Sequence, residues 1–290
     1  MFRMPIGLYE KALPADLSWE ARLAAAGQAG YDFIEISIDE SDERLSRLDW
    51  NSAERSKLRQ AIDNTGVKVM TMCLSGHRKY PLGSHDPTIR EEGQEILAKA
   101  IEFGSDIGLR VVQIMGYDVF YEESDAETDK HFREGLYRGA QLASQAGMML
   151  GLENMDTPYV DNLSKGLAII KEINSPWLKL YPDMGNLAAA GYHPQDELRL
   201  AQNQILGIHV KDAKPKVIRG IPFEEGIVPF KEVFQTLAEI GFWGMLGVEI
   251  WGNRHAGQDP VAAATEAREF VESLVAAESW APAQPFVIES

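Results

Sequence analysis

Short apolar runs separated by longer amphipathic stretches recur along the whole chain. Residues 6–9, 31–38, 67–74, 110–115, 148–152, 178–182, 205–208 and 245–250 are continuous or alternating apolar segments, which predicts eight strands. Between them, residues 51–65, 88–108, 125–147, 163–173, 230–240 and 259–277 repeat apolar positions at helical spacing and predict helices. The Ala-rich stretch that Asp16 or Ser18 could cap runs to Gly30 as a further helix, and residues 196–204 read as a short one. Gly66 and Gly147 stop the helices that precede them. Residues 40–50 read as a charged loop and 213–229 as a long one. In residues 75–87, Gly, Pro and Ser forbid regular structure.

Eight strands, each followed by a helix, are the arithmetic of an α/β chain closed into a (β/α)8 TIM barrel. No composition break, internal repeat or low-complexity segment divides it, so residues 1–277 are expected to form one catalytic domain. The Ala/Pro-rich tail, 278–290, is a loose extension, an oligomer contact or a cloning remnant.

Candidate chemistry sits at the tips of four consecutive strands. Run 148–152 ends in Glu153, 178–182 in Asp183, 205–208 in His209 and 245–248 in Glu249. Strand C-termini converge on one face of a parallel barrel, so these side chains can meet. A single carboxylate after a strand commonly caps the next helix or faces solvent. Four metal-capable residues in succession are a different matter: two Glu, one Asp and one His suit one divalent ion, Mn²⁺, Mg²⁺, Co²⁺ or Zn²⁺. Gly151, Gly185, Gly207 and Gly247 nearby would let backbone or ligand approach closely.

Composition narrows the partners. With 28 basic against 44 acidic residues the net charge is −16, a field that repels phosphate polymers and excludes nucleic acid. No apolar run is long enough for a membrane helix, and the N-terminus lacks signal architecture. The one cysteine, Cys73, excludes an intramolecular disulfide or a zinc knuckle and reads as a small buried hydrophobe; a cytoplasmic location is expected. A small anionic substrate would need a local basic cluster. His77-Arg78-Lys79, after strand three, is one, with the Ser75 hydroxyl and Gly76 N–H beside it and Lys11 after strand one, although an isolated charged triplet is ordinarily a solvated loop. Glu35 on strand two would either hydrogen-bond a sugar or pair with a neighbouring Lys or Arg. His85, His131, His193 and His255 read as surface residues, and Trp19, Trp50 and Trp177 as packing; Trp251, just beyond Glu249, is placed to wall the site. No P-loop or dinucleotide fingerprint occurs.

Several loop motifs carry a family resemblance. GLYEKALP (7–14), ISIDESDERLSRLDW (36–50), MCLSGHRKYPLGS (72–84), GYDVFY (116–121), LYPDMGNL (180–187), HVKD (209–212) and IPFEEG (221–226) span nearly the whole chain. With them the chain resembles the xylose-isomerase-like TIM-barrel superfamily, and within it the bacterial L-ribulose-5-phosphate 3-epimerases, also named L-xylulose-5-phosphate 3-epimerases. The resemblance implies one divalent metal held by Glu153, Asp183, His209 and Glu249, with Glu153 and Glu249 as acid and base. It also implies a small phosphosugar substrate and a homodimer. Lys211 and Arg219, near strand seven, are expected to reach substrate oxygens, and Arg219 best matches an arginine that does so in related ketose epimerases. The chemistry is consistent: epimerising carbon 3 of a 2-ketose removes a proton α to a carbonyl and returns it to the other face, which needs a carboxylate on each side. The alternative within this class is an epimerase or isomerase of an unphosphorylated or six-carbon sugar. An endonuclease-type hydrolase on the same barrel would need more than six histidines and a basic DNA track. A non-catalytic binding protein is the last reading.

Overall fold

The computed structural model describes residues 3–252 and 259–280. Its strands are β1 (Ile6–Tyr9), β2 (Phe33–Ser37), β3 (Lys68–Leu74), β4 (Val111–Met115), β5 (Met149–Glu153), β6 (Leu178–Leu180), β7 (Gly207–Val210) and β8 (Met245–Val248). They pair in parallel in the order β6-β5-β4-β3-β2-β1-β8-β7. The gap between β6 and β7 is crossed by single bridges, Leu180 to Ile205 and Asp183 to His209, and by the His209 N–H donating to the Pro182 carbonyl at 2.8 Å. Eight parallel strands thus form a nearly closed barrel, as the strand–helix alternation predicts. Strand β6 stops at Leu180, two residues before Pro182, which brings no N–H to a ladder.

Helices cover the barrel in the expected order. Helix α1 (Trp19–Gln28) follows β1, α2 (Asp42–Leu45) and α3 (Ser52–Thr65) follow β2, and α4 (Pro87–Ile107) follows β3. Helices α5 (Ala126–Ala146) and α6 (Leu163–Ile173) follow β4 and β5; α7 (Met184–Ala189) and α8 (Pro194–Leu200) follow β6. Helix α9 (Phe230–Glu239) follows β7 and α10 (Pro260–Ala277) follows β8. Their ends obey capping chemistry. Of the two candidates at α1, Ser18 is the cap, its hydroxyl accepting from Ala21 N–H. At α3, Asn51 and Glu54 form a reciprocal capping box, and Gly66 closes the helix at φ 73°, a left-handed conformation that a side chain resists. Strand residues such as Leu8, Ile34, Val112, Leu152 and Leu246 are fully buried and share one core with the inner faces of the helices, among them Leu23, Leu97, Leu136 and Phe234.

Three local expectations are corrected. Residues 40–50 are not a charged loop but α2 followed by a 3₁₀ turn at Ser46–Asp49, because Arg44 and Arg47 turn inward. Both meet Glu10, which is 1% exposed, at 2.6 and 2.9 Å, and buried Arg22 meets it at 2.5 Å. The Ser37 N–H donates at 2.8 Å to Glu10 Oε2, the oxygen that Arg47 also meets. Residues 75–87 begin with a 3₁₀ turn at Ser75–Arg78, which the Gly and Pro content conceals. Helix α7 has no counterpart in the pattern of apolar positions. The tail read at 278–290 lies outside the described residues from 281 onward, as does His255. Among the described residues, no helix is long and apolar enough to cross a membrane.

Glu10 anchors three guanidinium groups, those of Arg22, Arg44 and Arg47. Glu10→Ala removes that shared carboxylate from a buried setting and is expected to cost about 3–5 kcal/mol, read from urea denaturation midpoints. A loss below about 1 kcal/mol would show that solvent reaches these groups.

Candidate active site

The ends of β5, β6, β7 and β8 deliver Glu153, Asp183, His209 and Glu249 to one spot, where one ligating atom from each lies within 4.8 Å of all the others. His209 Nδ1 stands 3.1 Å from Glu153, 3.3 Å from Glu249 and 3.7 Å from Asp183 Oδ2. All four residues are buried. Asp183 also fulfils the ordinary expectation for a carboxylate after a strand. Its Oδ1 caps α7 by accepting from Asn186 N–H at 2.8 Å, while Oδ2, which accepts no well-aligned hydrogen bond, faces the cluster. The ammonium of Lys211 lies 2.6 Å from that Oδ2 and 3.3 Å from Glu249 Oε2, as an ion pair with both.

Burial and charge set the proton affinities of this group. Burial pushes the Glu153 carboxyl up to about 7, although His209 opposes it. Burial likewise raises Asp183 against the pull of Lys211. Glu249 goes the other way: burial would raise it, but Lys211 and His209 hold it below the usual range. For His209 burial would lower the imidazole, and the charges of Glu35 and Glu153 overcome that and hold it well above. A divalent cation in the cluster would invert this balance. Three carboxylates and an imidazole are a donor set that fits such an ion, and their mutual repulsion when buried calls for a positive charge among them.

Glu35 has a different place from the one expected. It is fully buried on the far side of the His209 ring from the cluster. Its Oε1 lies 2.7 Å from His209 Nε2, and its Oε2 accepts from Thr71 Oγ1 at 2.7 Å and from the Gln113 amide. An imidazole that offers Nδ1 as a lone pair must carry its proton on Nε2, and Glu35 is there to accept it. The sugar-binding expectation for Glu35 therefore gives way to one of orienting His209. Of the nearby glycines, Gly185 lets backbone approach as expected, a Cβ there lying 2.9 Å from the Lys211 carbonyl oxygen, whereas Gly207 and Gly247 make room chiefly for side chains. A Cβ on Gly207 would lie 2.6 Å from the Tyr181 ring, and one on Gly247 would lie 2.9 Å from the His209 ring.

Above the cluster opens a cavity of about 200 Å³ lined by Tyr9, Lys11, Cys73, Ser75, Arg78, Met115, Glu153, Met155, Asn186, Lys211, Ile218, Arg219, Glu249 and Trp251. Larger grooves lie on the barrel's outer side, such as one of about 810 Å³ along α4 and α5, away from the carboxylates. The structure thus brings Lys11, Ser75, Arg78, Lys211 and Arg219 to one cavity with the two glutamates. It leaves out His77, which is buried with Nε2 at 3.1 Å from the Gly93 carbonyl; burial drives its pKa to about 4, so it offers no charge to an anion. The Gly76 N–H is also engaged, by the Ile38 carbonyl. Lys79 pairs outside with Asp42. Trp251 walls the cavity as expected: its Nε1–H donates to Glu249 Oε1 at 3.2 Å, its ring meets Tyr9 edge-on, and Lys11 and Arg219 lie 5.3 and 5.5 Å from its ring centre.

Some functional neighbours escape a reading of the sequence alone. Asn154 and Asn186 brace Asp183: Asn154 Oδ1 accepts from Asp183 N–H, its amide donates back to the Asp183 carbonyl, and the Asn186 amide donates to the Asn154 carbonyl. The signal available is the D-x-x-N pattern of a helix cap directly after a strand. Asp212 accepts from the N–H groups of Ala213, Gly226 and Val228 and so fastens the loop that carries Arg219.

Residues 23–274 match the family model described as xylose isomerase-like TIM barrel. The chain belongs to that family. Among its relatives is the L-ribulose-5-phosphate 3-epimerase UlaE of Shigella boydii serotype 18, 46% identical over 274 residues that span 94% of this chain and 96% of the relative. Similar solved structures include an L-ribulose 3-epimerase (TM-score 0.79, 22% identity, 94% of this chain and 95% of that one) and a D-psicose 3-epimerase (TM-score 0.80, 17% identity, 94% and 99%). These structures share the fold, and the 46% relative places this family member among the epimerases, enzymes of the isomerase class.

Two measurements test the site as built. Glu35→Gln exchanges an obligate acceptor for an amide and is expected to weaken binding of Mn²⁺ about 10–100-fold in titration calorimetry; unchanged affinity would remove Glu35 from the site. At the rim, Asp39 pairs with Lys11 at 2.6 Å. Burial would raise its carboxyl, but hydrogen bonds from Lys11 and Ser41 outweigh that and lower it from 3.8 to about 2. A carboxyl depressed on folding stabilises the protein fully above its unfolded value and loses that contribution as pH falls through about 4 to about 2. Denaturation midpoints are therefore expected to fall more steeply for the parent than for Asp39→Asn across that window, and parallel curves would contradict the assignment.

Proposed function

We propose that the protein epimerises carbon 3 of a ketopentose 5-phosphate, interconverting L-ribulose 5-phosphate and L-xylulose 5-phosphate. The observation that carries this reading is the pairing of Glu153 and Glu249, from the ends of β5 and β8, in one cavity whose rim bears Lys11 and Arg78. The kinship with UlaE, named an L-ribulose-5-phosphate 3-epimerase, supports the same substrate.

In this reading Glu153, Asp183, His209 and Glu249 hold one divalent ion, for which Mn²⁺, Mg²⁺, Co²⁺ and Zn²⁺ are all acceptable to the donor set. When bound, the ion supplies Lewis-acid stabilisation of negative charge on the substrate oxygens. The protein's own residues do the rest. One glutamate removes the C3 proton and the other returns one to the opposite face, so that the direction of the reaction only exchanges their roles. Glu249 is aimed by two donors, Trp251 Nε1–H on Oε1 and Lys211 on Oε2. Arg219, steadied against Trp251, and Lys211 contact substrate hydroxyl oxygens. Lys11, Arg78 and the Ser75 hydroxyl, which line the same cavity, receive the phosphate. Apolar Met115, Met155 and Ile218 keep water from the abstracted centre.

Proton NMR of L-ribulose 5-phosphate in D₂O tests the reaction directly. The C3 proton signal is expected to disappear with enzyme, to persist after chelation, and to exchange about 10²–10⁴-fold more slowly with Glu153→Gln or Glu249→Gln. Exchange at another carbon would refute the reading. Charge removal in Arg78→Met is expected to raise KM for the phosphosugar; equal turnover of free L-ribulose would instead support an unphosphorylated substrate.

A further inference from the structure

Both rim cations are already engaged by acids that sit side by side in the chain. Lys11 Nζ is 2.6 Å from Asp39 Oδ2, and Arg78 Nη1 is 3.5 Å from Glu40 Oε1. Asp39 and Glu40 leave the end of β2 together, so one short segment neutralises the two charges that face the outer part of the cavity. The carboxylates are the fixed partners. Asp39 accepts from Ser41 N–H at 2.9 Å and Ser41 Oγ at 2.6 Å, and faces Arg44 Nε at 3.5 Å, itself anchored on buried Glu10. Glu40 accepts the Tyr121 hydroxyl at 3.1 Å. The cations are the adaptable ones: Lys11 lies beside the Trp251 ring, and Arg78 rests on Phe120 with its guanidinium 4.7 Å from the ring centre.

We propose that Asp39 and Glu40 are built-in counter-anions that the substrate's phosphate must displace from Lys11 and Arg78, and that they set how tightly the phosphate is held. The inference rests on the reading of these two cations as the phosphate subsite. A carboxylate offers one charge, whereas a phosphomonoester offers nearly two and three strong acceptor oxygens. At equal distance the dianion attracts each cation about twice as strongly. It can therefore exchange with ion pairs that are only partly buried and still reached by solvent. A terminal hydroxyl gains nothing by approaching a cation already paired, and a monoanion only breaks even. The acids thus lower affinity for a phosphate ester, which must displace them, and leave a ligand without the phosphate nearly untouched.

The test uses two unreactive inhibitors that differ only in the group concerned, ribitol and ribitol 5-phosphate, with the metal-loaded enzyme and its Asp39→Asn, Glu40→Gln and Arg78→Met variants. The Asp39→Asn variant keeps a side-chain acceptor for Ser41, and Glu40→Gln, at a part-exposed side chain, guards against a folding defect at position 39. Each neutralised acid is expected to lower Ki for ribitol 5-phosphate about tenfold relative to Ki for ribitol. A ratio that is unchanged or moves the other way in both variants overturns the inference, because the acids would then align the cations rather than compete for them. Failure of the underlying subsite looks different: Arg78→Met would leave the ratio at the parent value.

Discussion

Between β6 and β7 the barrel closes through the bridge from Asp183 to His209, so the residues that shut the sheet also bring a carboxylate and an imidazole together. That closure forces Glu153 and Glu249 from the flanking strands into the same buried volume, with Glu35 directly behind the imidazole. These carboxylates share the ammonium of Lys211 and the ring of His209 as their nearest positive partners. Burying carboxylates without opposite charge costs several kcal/mol per ion. The seam is therefore tolerable as part of a folded protein because Lys211 bridges Asp183 and Glu249, and because the donor set admits a divalent cation. Stability of the barrel at this end and readiness for chemistry depend on the same charge balance.

The strand–helix alternation was legible because its causes are local. Buried strands read as apolar runs, and caps such as Asn51 with Glu54 announce themselves in a few residues. The four donors were legible for a related reason: strand tips on one face of a barrel must converge, whatever their separation in the chain. Residues whose role depends on what stands opposite them were not. Glu35 looks like a free polar group on a strand, and only the barrel shows His209 beside it, 174 residues away. Arg44 and Arg47 look like part of a solvated charged loop because nothing nearby in sequence announces a buried Glu10. His77 and Arg78, adjacent in one basic triplet, part company because a 3₁₀ turn sends one inward to α4 and the other to the cavity.

Asp183 shows why single-residue readings mislead. Helix capping and metal binding are competing explanations for a carboxylate after a strand, yet the side chain has two oxygens and turns one to the cap and the other to the cluster. The cap fixes the rotamer, Asn154 holds the Asp183 backbone through both its N–H and its carbonyl, and the Asn186 amide braces Asn154 in turn. The second oxygen is thus delivered to the cluster without further loss of side-chain freedom. Local helix chemistry has here been recruited to preorganise a donor.

The cavity holds both signs of charge, Glu153 and Glu249 with Lys11, Arg78, Lys211 and Arg219, within a chain whose overall field repels anions. A small phosphate ester approaching such a protein feels repulsion at distances beyond a few Debye lengths only weakly, since salt screens it at about 8–10 Å. Recognition is then decided close in, where the rim cations, their paired acids and the aromatic walls act over a few ångströms. On the proposed reading, an acidic protein can host an anionic substrate without a basic surface patch. The same reading accounts for the slight basic signal in the sequence, since it asks for two cations only, Lys11 beside Trp251 and Arg78 on Phe120, with exchangeable acids next to them.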